Sequence, residues 1–325
     1  MNAICPKATK VSFHDYQPEL DNFRQTVLNG LAHEHKQIPP KFFYDERGSQ
    51  LFEAILEQPE YYVPHVEKQL YRDYAADMAA LIGKDTVLIE PGSGSCEKVQ
   101  LLLDALRPAA YVPMDISGDF LRQSAATLGA AFPWLHVHAA CLDFTRELHL
   151  PQHVPAGRRV VFIPGSSLGN FDLPEAQHFL FNIAQLVGKG GGGGLLIGVD
   201  RKKDKAVLET AYNDAAGVTA AFNLNLLVRI NNELEGTFDL DQFAHYACYN
   251  EAMGRIEMHL TSLQDQSVQV AGKTFRFAQG ERIHTENSYK YHPEEFITLA
   301  TAAGFKCEQH WTDAANLFGI YYCTV

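Results

Sequence analysis

The sequence predicts an α/β fold: a mostly parallel sheet with helices on both faces, closed by a C-terminal antiparallel hairpin and joined to a second, α+β piece. From about residue 86 to 200, short apolar runs alternate with helical patterns. Near-continuous apolar strands separated by helices require a parallel sheet buried on both faces. Close to the C-terminus, "KCEQHWTD" and "FGIYYCTV" lie a short loop apart, the spacing of an antiparallel pair. Residues 1–64 and about 201–289 break the alternation and belong to something else.

Taken in order, residues 1–64 read as helical and aromatic-rich, as in "KFFYDERGSQLFEAILEQPEYYVP". The first strand is "TVLIEPG", and Gly92 and Gly94 end it. Val99, Leu102, Leu103 and Leu106 then recur at i, i+3, i+4, i+7, one face of a helix. Arg107-Pro108 stops that helix. "AAYVPMD", "LHVHAACLDF", "RRVVFIPGSS" and "GGLLIGVD" supply the next strands, and the run Gly190 to Gly194 reads as a flexible turn. After residue 200 the pattern is first helical, then alternates strand-like in "GRIEMHLTSL" and "VQVAGKTFRF". Pro293 opens a helix with Phe296, Leu299, Ala300 and Ala303 on one face, and Gly304 closes it. The expected division is therefore a cofactor-binding domain of residues 65–200 and 290–325, and a substrate domain of residues 1–64 and 201–289. The second would lie over the sheet's carboxyl edge, where open α/β folds bind ligands.

Composition narrows the function. A net charge of −12 with no basic cluster argues against a nucleic-acid partner. No run approaches membrane-spanning length and the first twenty residues lack a signal-peptide core, so a cytoplasmic protein is expected. The six cysteines are scattered with no C-x-x-C pair and read as reduced thiols. His136, His138 and Cys141 read as a packed strand, and no metal is expected.

The loop "EPGSGSCEK" lacks the third glycine of the dinucleotide fingerprint and the lysine-serine of a P-loop. Glu97 in the first helical turn suits the helix dipole but repels a pyrophosphate, and Glu90 adds a second negative charge. Such a turn favours a phosphate-free, positively charged ligand. Asp115 ends the next strand about twenty residues on, where a carboxylate can accept both ribose hydroxyls. Asp143 and Phe144 end the third, placed to flank an adenine. A parallel sheet ending in a hairpin is typical of the Rossmann-like class I methyltransferases, which use adenosylmethionine.

The segments "PPKFFYDERGSQLFEAILEQPEYY", "EPGSGSCEK", "VPMD", "PGSSLGNF", "AYNDAAGVTAAFNLNLL", "RIEMHL", "TENSYKY" and "WTDAANLFG" occur in that order from about Pro39 to the C-terminus. Together they resemble the histidine-specific Nα-methyltransferases of ergothioneine biosynthesis. The resemblance implies transfer of three methyl groups from S-adenosyl-L-methionine to the α-amine of L-histidine, giving hercynine; separately, a monomer is expected. It implies that Asn170 and Tyr212 hold the substrate carboxylate, that Glu286 and Ser288 hold the imidazole with Met258 nearby, and that Tyr44 and Tyr61, the catalytic candidates, line the substrate pocket. It places Gly92, Ser93, Gly94, Lys98, Asp115, Asp143 and Phe144 on the cofactor. Pro91 and Cys96 depart from the family's usual loop and bear on its stiffness.

The chemistry fits these residue types. A carboxylate wants donors, and an amide and a phenol qualify; an imidazole N–H wants an acceptor such as Glu286. Read singly, each is ambiguous: Asn170 or Asp172 can cap the following helix, Tyr212 can be core, and Glu286 can be a solvated strand residue. An indole-bearing amino acid is the alternative acceptor, and a nicotinamide oxidoreductase the alternative class.

Overall fold

The computed structural model describes residues 10–16, 23–146, 148–189 and 191–325. In chain order it runs β1 (Val11–Asp15), α1 (Phe23–Ala32), α2 (Glu46–Leu56), α3 (Tyr62–Ile82), β2 (Val87–Pro91), α4 (Glu97–Leu106), β3 (Ala110–Asp115), α5 (Gly118–Ala131), β4 (Val137–Cys141) and β5 (Arg159–Ile163). Then come α6 (Leu173–Gly188), β6 (Gly194–Asp200), α7 (Lys205–Ala211), α8 (Val218–Leu234), β7 (Phe243–Asn250), β8 (Arg255–Ser262), β9 (Gln266–Val270), β10 (Lys273–Phe277), β11 (Arg282–Tyr289), α9 (Pro293–Ala302), β12 (Lys306–Thr312) and β13 (Phe318–Thr324).

The large sheet has the order β1-β4-β3-β2-β5-β6-β13-β12, parallel through β6 and antiparallel at β13 and β12. Order reverses between β2 and β5, the switch point where α/β sheets open a crevice. Alternation along β2 sends Leu88 into a core with Leu103 of α4, Tyr71 of α3 and Leu121 of α5. Its neighbour Ile89 faces the opposite core, with Ile183 of α6 and Phe296 of α9. The predicted apolar face of α4 is fully buried at all four positions, worth roughly 1.5–3 kcal/mol for each such large side chain.

A third core lies beside the large sheet's carboxyl edge. Here α1, α2 and α8 cover the three-stranded antiparallel sheet β11-β8-β7, packing Phe43, Phe222, Leu260 and Ile283 together. The segment "VQVAGKTFRF" is not one strand but the hairpin β9–β10, turning at Ala271 and Gly272, both at positive φ.

Two expectations need correction. Val11–Asp15, grouped by sequence with the substrate piece, instead pairs parallel to β4 as an edge strand of the large sheet. Five polar-apolar residues carry no signal of which sheet they join. Cys307 and Cys323, read as thiols, sit opposite each other in the β12–β13 register and form a disulfide, with Cα atoms 3.9 Å apart. Strand pairing, invisible in cysteine spacing, brings them together. Cys96, Cys141 and Cys248 are free, and Cys5 lies outside the described residues. Among the described residues no helix is long and apolar enough to cross a membrane.

Candidate active site

At the end of β2 the chain turns through Gly92 (φ +70) and Gly94 (φ +51) into α4. A Cβ on Gly92 would lie 3.3 Å from the Phe144 ring, so the glycine serves both the turn and the packing of the β4 loop. Cys96 caps α4 in the left-handed region (φ 55), and burial pushes its thiol up to about 12, so it is an inert, packed sulfur. Asp115, the last residue of β3, accepts the Gly94 N–H at 3.1 Å and the Ser117 N–H at 3.0 Å. Asp143 accepts the Thr145 hydroxyl at 2.5 Å and lies 3.9 Å from Lys41. The loop residues Gly92, Ser93, Gly94 and Lys98 line a cavity of about 110 Å³ with Glu90. Asp115, Asp143 and Phe144 stand at the two neighbouring strand ends.

A buried glutamate unannounced by the sequence reading fastens this loop. Glu67 of α3 is fully enclosed; it takes the Lys98 ammonium at 2.7 Å, the Gly165 N–H at 2.8 Å and the Tyr71 hydroxyl at 2.9 Å. The turn after β2 and the turn after β5 are thereby tied to one carboxylate. Glu90, hydrogen-bonded by Tyr111 at 2.5 Å, is pushed up to about 8 by burial.

A second chamber of about 80 Å³ adjoins the first; Phe52, Tyr61, Val63, Gly165 and Ser167 wall both. Tyr44, Asn170, Tyr212, Glu286 and Ser288 line it, five residues from four distant segments. Asn170 ends the 3-10 turn Ser167–Asn170. Gly169 makes that turn possible, since a Cβ there would meet the Tyr289 carbonyl of β11 at 2.7 Å. The cap of α6 falls to Asp172, in a capping box with Glu175, which leaves the Asn170 amide free of that task. Glu286 and Ser288 project from β11, two residues apart and so on one face. Met258 does not line the chamber; it is buried in the third core as the register partner of Glu286.

A cation in the chamber wall comes from a residue that sequence reasoning passed over. Lys290, one further step along the same strand face, donates to Ser288 Oγ at 2.8 Å, Tyr212 Oη at 3.0 Å and Asp200 Oδ2 at 2.7 Å. Asp200 also holds Lys203 and the Tyr62 hydroxyl; although burial opposes it, the Lys290 and Lys203 cations bring its carboxyl below the ordinary value. The period-two alternation of "TENSYKY" was the available signal for Lys290. Burial raises Glu286 to about 7 against the pull of Lys290. Burial, with Glu286 and Tyr61 adding, also pushes the Tyr44 phenol well up, and burial with Tyr212 does so for Tyr61.

Elsewhere, His138 shares a 3.0 Å hydrogen bond with Ser12 of the adjoining strand, a packing role. Cys248, Glu257 and His259 bring their ligand-type atoms within 4.8 Å of one another on strands β7 and β8, and Glu257 is already held by Arg255 at 2.8 Å.

With this geometry in place, comparison with known proteins is direct. Residues 23–325 match the family model described as histidine-specific methyltransferase, SAM-dependent. The histidine N-alpha-methyltransferase of Mycolicibacterium smegmatis is 42% identical, over 91% of this chain and 93% of that one. Ergothioneine biosynthesis protein 1 of Neurospora crassa is 33% identical over 88% of this chain, which spans 33% of that longer protein. The 4-dimethylallyltryptophan N-methyltransferase of Epichloe festucae var. lolii is 30% identical, over 90% of this chain and 92% of its own. These matches set aside the nicotinamide alternative, and the chain belongs to the histidine-specific, S-adenosylmethionine-dependent methyltransferases.

Proposed function

We propose that L-histidine occupies the chamber bounded by Tyr44, Tyr61, Asn170, Tyr212, Glu286 and Ser288, and that its α-amine is trimethylated there to hercynine. The chain is an S-adenosylmethionine-dependent histidine methyltransferase. The observation that carries the site assignment is the meeting of these side chains, from segments far apart in sequence, in a chamber that shares walls with the glycine-loop cavity.

The loop fits a sulfonium cofactor on its own chemistry. Gly92 and Gly94 present open backbone, Asp115 stands at the ribose position, and the Glu97 carboxylate lines the cavity where a diphosphate would be repelled, whereas Glu90, expected to add a second charge, is kept largely protonated at pH 7 by burial. Adenosylmethionine, when bound, supplies an electrophilic methyl group to an amine lone pair. The protein's task is then alignment, which alone can supply several kcal/mol of barrier lowering, about 7–11 at best. Asn170 and Tyr212 donate to the carboxylate, and Glu286 accepts a ring N–H. With both ends of the amino acid held, the amine is the part left to move between successive methylations. Tyr44 and Tyr61, kept neutral by burial, act as hydrogen-bonding walls around the amine rather than as bases.

Incubating the protein with adenosylmethionine and each of the twenty amino acids, then weighing the products, tests this. Histidine should gain three methyl groups, and its recovery unmodified would refute the reading. An indole substrate would need an apolar wall where Glu286 stands, so tryptophan should remain unmethylated or nearly so.

A further inference from the structure

We infer that Lys290 is a positioning and specificity-determining residue: it fixes Ser288 as a hydrogen-bond donor, so that the chamber takes the substrate's imidazole as one neutral tautomer. This rests on the reading that Glu286 and Ser288 bracket the ring.

The proton count leads there. An ammonium has three N–H donors and no acceptor. Those of Lys290 are all committed, to Asp200 Oδ2, Tyr212 Oη and Ser288 Oγ. Its side chain is 1% exposed, so water does not compete for them. Each hydroxyl therefore accepts from Lys290 and must aim its own proton elsewhere. The Tyr212 hydroxyl and Ser288 Oγ are 2.8 Å apart, and one proton bridges them. The other is left to point into the chamber. When Tyr212 instead gives its proton to a carboxylate, its oxygen both donates there and accepts from Lys290, which leaves the Ser288 proton to turn to the ligand. Lining the same chamber is Glu286, which when ionised only accepts.

A neutral imidazole matches that arrangement, with its N–H on Glu286 and its lone pair on Ser288. An imidazolium would set an N–H against a hydroxyl already accepting from a cation. An indole, which has a donor and no ring lone pair, would leave the Ser288 proton without a partner. Asp200 keeps Lys290 in place and is itself steadied by Lys203 and Tyr62, so the ammonium is held from behind.

The test is histidine binding to the S-adenosylhomocysteine complex, with Lys290→Met and Ser288→Ala alone and combined. Lys290→Met should weaken histidine about tenfold in the native background, as loss of a charge-assisted contact does, and add little once Ser288 is Ala. S-adenosylhomocysteine affinity should stay unchanged, which reports an intact fold. If Lys290→Met does not fold, Lys290→Gln, which keeps a donor amide, replaces it. Nitrogen-15 spectra of labelled histidine in the native complex near pH 8, where Glu286 is ionised, should show one protonated and one lone-pair ring nitrogen in a single tautomer, not the mixture of free histidine. Two protonated ring nitrogens, or equal Lys290→Met costs in both Ser288 backgrounds, would overturn the inference. If Ser288→Ala and Glu286→Ala leave binding intact, it is the site assignment that fails instead.

Discussion

Glu286 carries a cost in the ligand-free protein that its substrate removes. Its carboxyl titrates near 7 when folded, because burial disfavours the charge, and near 4.5 when free. The folded state thus holds a proton that the unfolded chain releases, and stability falls as pH rises from about 4.5 to 7. Glu286→Gln should therefore raise the ligand-free melting temperature at pH 8 and leave it unchanged at pH 4, as thermal denaturation will show. Histidine binding should run the other way. It should weaken as pH drops through 7 and the carboxylate protonates, and the Gln variant should lose affinity most clearly at pH 8. At this scale the sequence was informative about residue identity and silent about linkage. Glu286, Ser288, Asn170 and Tyr212 could be named from motifs, yet Lys290, on the same strand face, was missed. Period-two alternation put Lys290 on the Glu286 face, but not inside, since burying a lysine requires a partner, Asp200, supplied by another strand.

At the scale of elements, the turn after β5 and the start of α6 divide their work. Asp172 closes the capping box and also receives Arg255 at 3.3 Å and the Tyr289 hydroxyl at 3.2 Å, joining α6 to the small sheet. Asp172→Ala should cost about 1 kcal/mol or somewhat more of stability, measured by denaturant unfolding, with adenosylmethionine affinity retained. Asn170→Ala should do the reverse, lowering histidine affinity while leaving stability near native. The Glu67–Lys98 pair predicts a harsher outcome. Lys98→Met strands a fully buried carboxylate, so urea unfolding should show a loss of about 3 kcal/mol or more together with weaker cofactor binding. The helices α4 and α9 were legible because 3.6-residue periodicity and bracketing glycine or proline agree there. The disulfide was not, because Cys307 and Cys323 become neighbours only through antiparallel register.

For the whole molecule, the decisive feature is where three cores meet. The large sheet offers its carboxyl edge at the switch point between β2 and β5, and the small sheet with α2 and α8 stands beside it. The glycine-loop cavity belongs to the first and the Glu286 face of β11 to the second, with Tyr61, at the head of α3, walling both. The alternation of apolar runs foretold the large sheet and its closing hairpin, since β2 to β6 and β13 are buried on both faces. The edge strand β1 escaped notice because half-buried residues at a sheet's margin carry little pattern. We propose that the division of labour follows these sheets, cofactor on one and amino acid on the other. The most direct test is a calorimetric titration of L-histidine into the S-adenosylhomocysteine complex, in the native protein and in Glu286→Ala. Saturable one-site binding should weaken roughly 10- to 150-fold in the variant, the size of a lost charge-assisted hydrogen bond. Equal affinity in both proteins would contradict the placement of the imidazole against Glu286.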